Sequence, residues 1–140
     1  MAVKKYGSTA SAAWLTRIMT LAFTNSSETF YVGLTHDGVE HVGDGYTRMP
    51  VTFSAPTVTS SSGNAAKVSN TTAITFPTAT AIWFTPDAQA NGWVLYDGNG
   101  SDATLLMSGV LQSSLTVFAS ATVTIPAGSL AISLGDYWVV

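Results

Sequence analysis

The chain has 140 residues and no cysteine, which excludes a disulfide framework, a thiolate metal centre and a cysteine nucleophile. Net charge is −3 with only five basic residues, which argues against a protein that tracks nucleic-acid phosphates. Charged residues are 9% of the sequence, against roughly 25% in an ordinary soluble domain.

Sixteen serines and twenty threonines take the place of the missing charges. A hydroxyl that finds a partner is buried at little cost, whereas a buried charge costs several kcal/mol or more. Such a surface is easily desolvated against another protein, and the composition reads as that of a subunit in an assembly. A secreted β-protein with a hydroxyl-rich surface is the alternative. The length suits one domain, with about two thirds of the extended chain's surface buried on folding.

Residues 10–23 form the longest helix-like apolar stretch, but Ser11, Thr16, Arg17 and Thr20 interrupt it. A membrane-spanning helix needs about 20 largely apolar residues. Arg17 also splits the apolar core that a secretory signal would need after Lys4 and Lys5. The expectation is therefore a cytosolic product with no membrane partner.

In chain order, the first element is a helix over about residues 9–23. Ser8 or Thr9 caps it, and Trp14, Leu15, Ile18, Leu21 and Ala22 form one apolar stripe at the helical period. From residue 29 onward the pattern is strand and turn. Residues 29–35 are β-branched and aromatic until His36-Asp37-Gly38 breaks them. Residues 46–53 follow, with Pro50 suited to an edge or a bulge. Residues 54–71 are rich in Ser, Thr, Gly and Asn, with weak strand signals at Val58 and Val68, and fit either a hairpin closing around Ser62-Gly63-Asn64 or a projecting arm. The arm, carrying part of the contact with other subunits, is the expectation. Strand signals return over 73–76, 81–85, 92–96 and 104–111. Short period-2 runs then close the chain at Leu115 and Val117, Val123 and Ile125, and Leu130, Ile132 and Leu134. Strands every 8 to 12 residues with turns between them predict an all-β antiparallel β-sandwich, jelly-roll-like, with one N-terminal α-helix. All of residues 1–140 are expected in this single domain.

Candidate chemistry is thin. His36, Asp37, Glu40 and His41 lie within six residues, but a Gly-containing loop gives two histidines no shared aim at one ion. Asp97-Gly98-Asn99-Gly100-Ser101-Asp102 begins like a calcium loop, yet Asp102 stands at the required glycine and Ser108 at the bidentate glutamate. Asp-Gly and Asn-Gly are strong turn signals, so both segments read as turns. No nucleophile elbow or phosphate loop is present. The expectation is no enzyme, no cofactor and no metal site. Tyr137-Trp138-Val139-Val140 is apolar where a solvated tail is usual; it either completes a strand or inserts into a neighbour.

Three stretches resemble a family of small β-rich virion proteins of tailed bacteriophages. They are the helix leading into Phe30-Tyr31-Val32-Gly33-Leu34-Thr35 with Gly45-Tyr46-Thr47-Arg48, residues 71–80 (TTAITFPTAT), and residues 123–132 (VTIPAGSLAI). Phe84-Thr85-Pro86-Asp87 departs from the family's glycine-rich turn. Members are capsid cement (decoration) proteins, often labelled tail-fibre proteins. The resemblance implies a virion protein assembled in the host cytoplasm and bound to the major capsid protein or other virion proteins. It also implies a homo-oligomer, with a trimer expected. Cement on the outer shell, bridging neighbouring capsid subunits, is the favoured role. A tail-fibre, tail or baseplate component is the alternative, and a carbohydrate-binding module a third reading. Contacts are expected from the arm, through Val58, Ser61, Asn64, Lys67 and Val68, and from Tyr137 and Trp138.

Overall fold

The computed structural model describes residues 12–24, 29–59 and 65–135. The all-β expectation holds: antiparallel sheets dominate and a single short helix precedes them. The described residues fall into two compact units: residues 12–24, 53–59, 65–71 and 127–135 in one, and residues 29–52 and 72–126 in the other.

In the first unit, helix α1 (Ala12–Met19) runs into a π-helical turn, Thr20–Thr24. Residues 9–11 of the expected helix, and the expected caps, lie outside the described residues. Leu21, expected on the apolar stripe, is 60% exposed, because at about 100° per residue it falls on the opposite side of the helix from Met19. Met19 is buried instead, and Phe23 meets Phe53 edge-on at 5.1 Å between ring centroids.

The helix lies against a three-stranded antiparallel sheet of β4 (Thr57–Thr59), β5 (Ala65–Ser69) and β10 (Ala131–Gly135), with β5 in the centre. Thr57 pairs with Lys67 and Thr59 with Ala65, so the segment expected as an arm folds back as a hairpin. β5 also pairs with β10 from Ala65↔Gly135 to Ser69↔Ala131. Small alternating side chains explain this: Ala66 and Val68 point inward and are fully buried, while Lys67 points to solvent. Asn70 is buried at the end of β5. Its Oδ1 accepts from Leu130 N–H at 2.9 Å, and its carbonyl accepts from Gly128 N–H at 2.8 Å.

The second unit is a five-stranded sheet and a two-stranded ribbon. β1 (Phe30–His36) pairs with β2 (Val39–Glu40), β3 (Met49–Val51) and β7 (Ala90–Tyr96), and β7 pairs with β8 (Leu105–Leu115). β6 (Ile74–Thr75) and β9 (Thr124–Ile125) make the ribbon. Pro50 sits in β3, opposite Tyr31, on a strand with no second neighbour among the described residues. Residues 81–85, expected as a strand, supply only the bridge Phe84↔Val117 and the turn closure Thr85↔Ala88. Pro86, directly after that stretch, has no N–H to extend a ladder.

Candidate functional site

The β1–β2 turn is Asp37-Gly38, both with positive φ (47° and 82°), and His36 pairs with Val39 across it. That is the two-residue turn whose twist matches a hairpin. Asn91 holds it by accepting from Asp37 N–H at 2.9 Å and donating to Asp37 Oδ1 at 2.7 Å. A second Asp-Gly, Asp44-Gly45, also takes positive φ. It swings the chain so that Tyr46, Thr47 and Arg48 return past Glu40.

Glu40, Tyr46 and Arg48 then form one half-buried cluster. Arg48 donates through Nη2 to Glu40 Oε2 at 2.8 Å and through Nε to the same oxygen at 3.0 Å. Its Nη1 reaches Gly100 O at 3.2 Å, and its guanidinium lies 3.5 Å from the Tyr96 ring centroid. Tyr46 O–H donates to Glu40 Oε1 at 2.7 Å and accepts from Leu34 N–H at 2.9 Å. Burial, reinforced by the Glu40 carboxylate, pushes the Tyr46 phenol far above its ordinary pKa. Hydrogen bonding to Glu40 holds the Arg48 guanidinium more firmly protonated still. Tyr46 also packs edge-on to Trp83 at 5.3 Å and stacks on Phe76 at 6.2 Å.

A depression of about 310 Å³ opens beside this cluster, rimmed by Thr47, Asn99 and Ser101. Asn99 Nδ2 donates to Thr47 Oγ1 at 3.2 Å. The charged groups at its base are thus bonded to one another and hold the 40–48 loop against β1 and the β7–β8 turn.

His36 and His41 do not converge. His36 Nδ1 lies 2.7 Å from Gln89 O and its Nε2 lies 3.5 Å from Asp37 Oδ2. His41 Nε2 lies 3.0 Å from Asp44 Oδ2, and its ring stacks on Trp83 at 6.3 Å. Among the described residues no three metal-ligating side chains gather. In the would-be calcium loop, Asp97 Oδ1 accepts from Thr104 N–H at 2.7 Å and closes the β7–β8 turn.

Of the expected contact residues, Val68 is fully buried in the central strand β5, so it is core and not contact surface. Val58 and Lys67 are exposed on the hairpin. Ser61, Asn64, Tyr137 and Trp138 lie outside the described residues. Sequence reasoning weighed Glu40 only as a metal ligand and missed its pairing with Arg48. The usable signal was one of only two arginines, two residues past Tyr46, together with a glycine in mid-strand at Gly33.

The fold is thus β-rich, with the polar groups of the Glu40 cluster bonded to one another. A family model described as "Podophage GP4 fiber I protein gp80" matches residues 6–133, so the chain belongs to that family. It is a bacteriophage virion structural protein. No characterised protein and no solved structure gives a significant match. No helix among the described residues is long and apolar enough to cross a membrane.

Proposed function

We propose that the chain is a non-catalytic structural subunit of the phage fibre, binding other virion proteins and further copies of itself. The observation that carries this is the match, across residues 6–133, to a family described as a fibre protein. The cluster of Glu40, Tyr46 and Arg48 fits such a role, because its donors and acceptors stabilise the domain and are not presented to a substrate. Cement on the capsid shell is the second reading, favoured by the 9% charged fraction and by exposed Val39, Val42 and Phe118. Wide contact with neighbours desolvates such a surface at low cost.

Electron microscopy of intact virions with the protein labelled decides between the two. Label confined to fibres at the tail vertex supports the fibre reading. Label spread over the whole shell overturns it in favour of cement.

A further inference from the structure

The five-stranded sheet ends on β8, which pairs with β7 on one side and, among the described residues, with no strand on the other. At eleven residues β8 is the longest described strand, and its sequence LLMSGVLQSSL carries no charge and no proline. Natural sheets guard such edges with lysine, proline, inward-pointing charge or bulges. Here only the last device is present. The register against β7 shifts at Leu106 and again across residues 111–114, leaving residues 107–110 straight opposite residues 92–95. Around that stretch Leu105, Leu106 and Val110 are 51%, 45% and 84% exposed.

We propose that β8 is a self-association edge, pairing antiparallel with β8 of a second copy of this chain about a two-fold axis. This names a surface for the self-association proposed above and rests on it, but not on the choice between fibre and shell. The charge distribution selects the partner. No Asp, Glu, Lys, Arg or His occurs from residue 103 to residue 135. Two copies each carrying −3 repel least where these neutral stretches meet. A partner recognised by its charge finds nothing to read on this strand.

Geometry agrees with the same occupant. An antiparallel pair of identical strands is its own inverse, so a single two-fold axis satisfies both edges at once. Along residues 107–110, alternate N–H and C=O groups point away from β7, and the same groups of the second copy complement them. Leu105, Leu106 and Val110 leave water in the same step. The pairing predicts a dimer, not the trimer that the resemblance implies.

The test is the mass of the full chain in solution, by light scattering at tens of micromolar. The parent is expected near twice its 14.6 kDa chain mass. A Leu106→Lys/Val110→Lys variant is expected to fall to the chain mass while its circular dichroism stays unchanged. A parent that is monomeric or trimeric overturns the proposal together with its two-fold geometry. A parent dimer that survives the lysines overturns β8 as the surface and leaves self-association standing. Should the lysine variant misfold, single cysteines decide, because the chain has none of its own. Oxidation should link copies through Cys substituted at one or more of Leu106, Ser108 and Val110, and not through Val42→Cys, a control at least as exposed as Leu106 and Val110. Failure of all three β8 positions to link overturns the proposal.

Discussion

Gly33 lies against the Tyr46 hydroxyl: a Cβ added at Gly33 would stand 2.7 Å from that oxygen and would run into the Glu40 carboxylate. Residue 33 of β1 is therefore glycine because the loop carrying Tyr46 closes directly onto the strand, with no need for a left-handed backbone.

Gly33→Ala should destabilise the domain by about 1–3 kcal/mol, the usual range for overpacking a filled site. Urea unfolding followed by tryptophan fluorescence reads it. A variant as stable as the parent would mean that Glu40 and Tyr46 are free to move aside.

Tyr46→Phe removes the donor to Glu40 Oε1 and the acceptor for Leu34 N–H. A loss of about 1–3 kcal/mol is expected for the bonds left unmade. The pH dependence is the sharper test. The folded phenol's pKa is raised, so the unfolded chain releases this proton first, and its stability contribution is intact below about pH 10. Above that pH the parent should lose up to about 1.4 kcal/mol per pH unit from this group. Tyr46→Phe should show a shallower alkaline slope, and an identical slope would refute the assignment.

Arg48→Lys keeps the charge but loses the fork on Glu40 and the planar contact with Tyr96. Lysine cannot reproduce either. A drop of about 1–2 kcal/mol is expected from the lost charged hydrogen bonds, with little sensitivity to salt because both groups are half-buried. Full retention of stability would show that charge alone suffices.

Asn70→Ala leaves the Leu130 N–H without its side-chain acceptor in a buried position. The expected cost is about 1–3 kcal/mol. Hydrogen exchange should speed first at Leu130 and along β10. Unchanged protection there would mean that another group takes over as acceptor.

The local alphabet of the sequence determined the all-β class, the strands read at residues 29–35 and 92–96, and the Asp-Gly turns. Those features depend on neighbours in the chain: β-branching, period-2 alternation and glycine's access to positive φ. The low charge and the absence of cysteine likewise limited the chemistry before any fold was known. What lay beyond the sequence needs partners far apart in the chain. Residues 65–69 read as part of a projecting arm until β10, more than sixty residues later, pairs with them and buries Ala66 and Val68. The stripe through Leu21 is helical in period, yet packing buries Met19, leaves Leu21 to solvent and sets Phe23 against Phe53. Glu40, Tyr46 and Arg48 are eight residues apart at most, but only their return past β1 and the β7–β8 turn makes them one cluster. Which strand is left at an edge is likewise a property of the sheet order. β8 reads as an ordinary neutral strand until the tertiary structure leaves one side of it without a neighbour among the described residues.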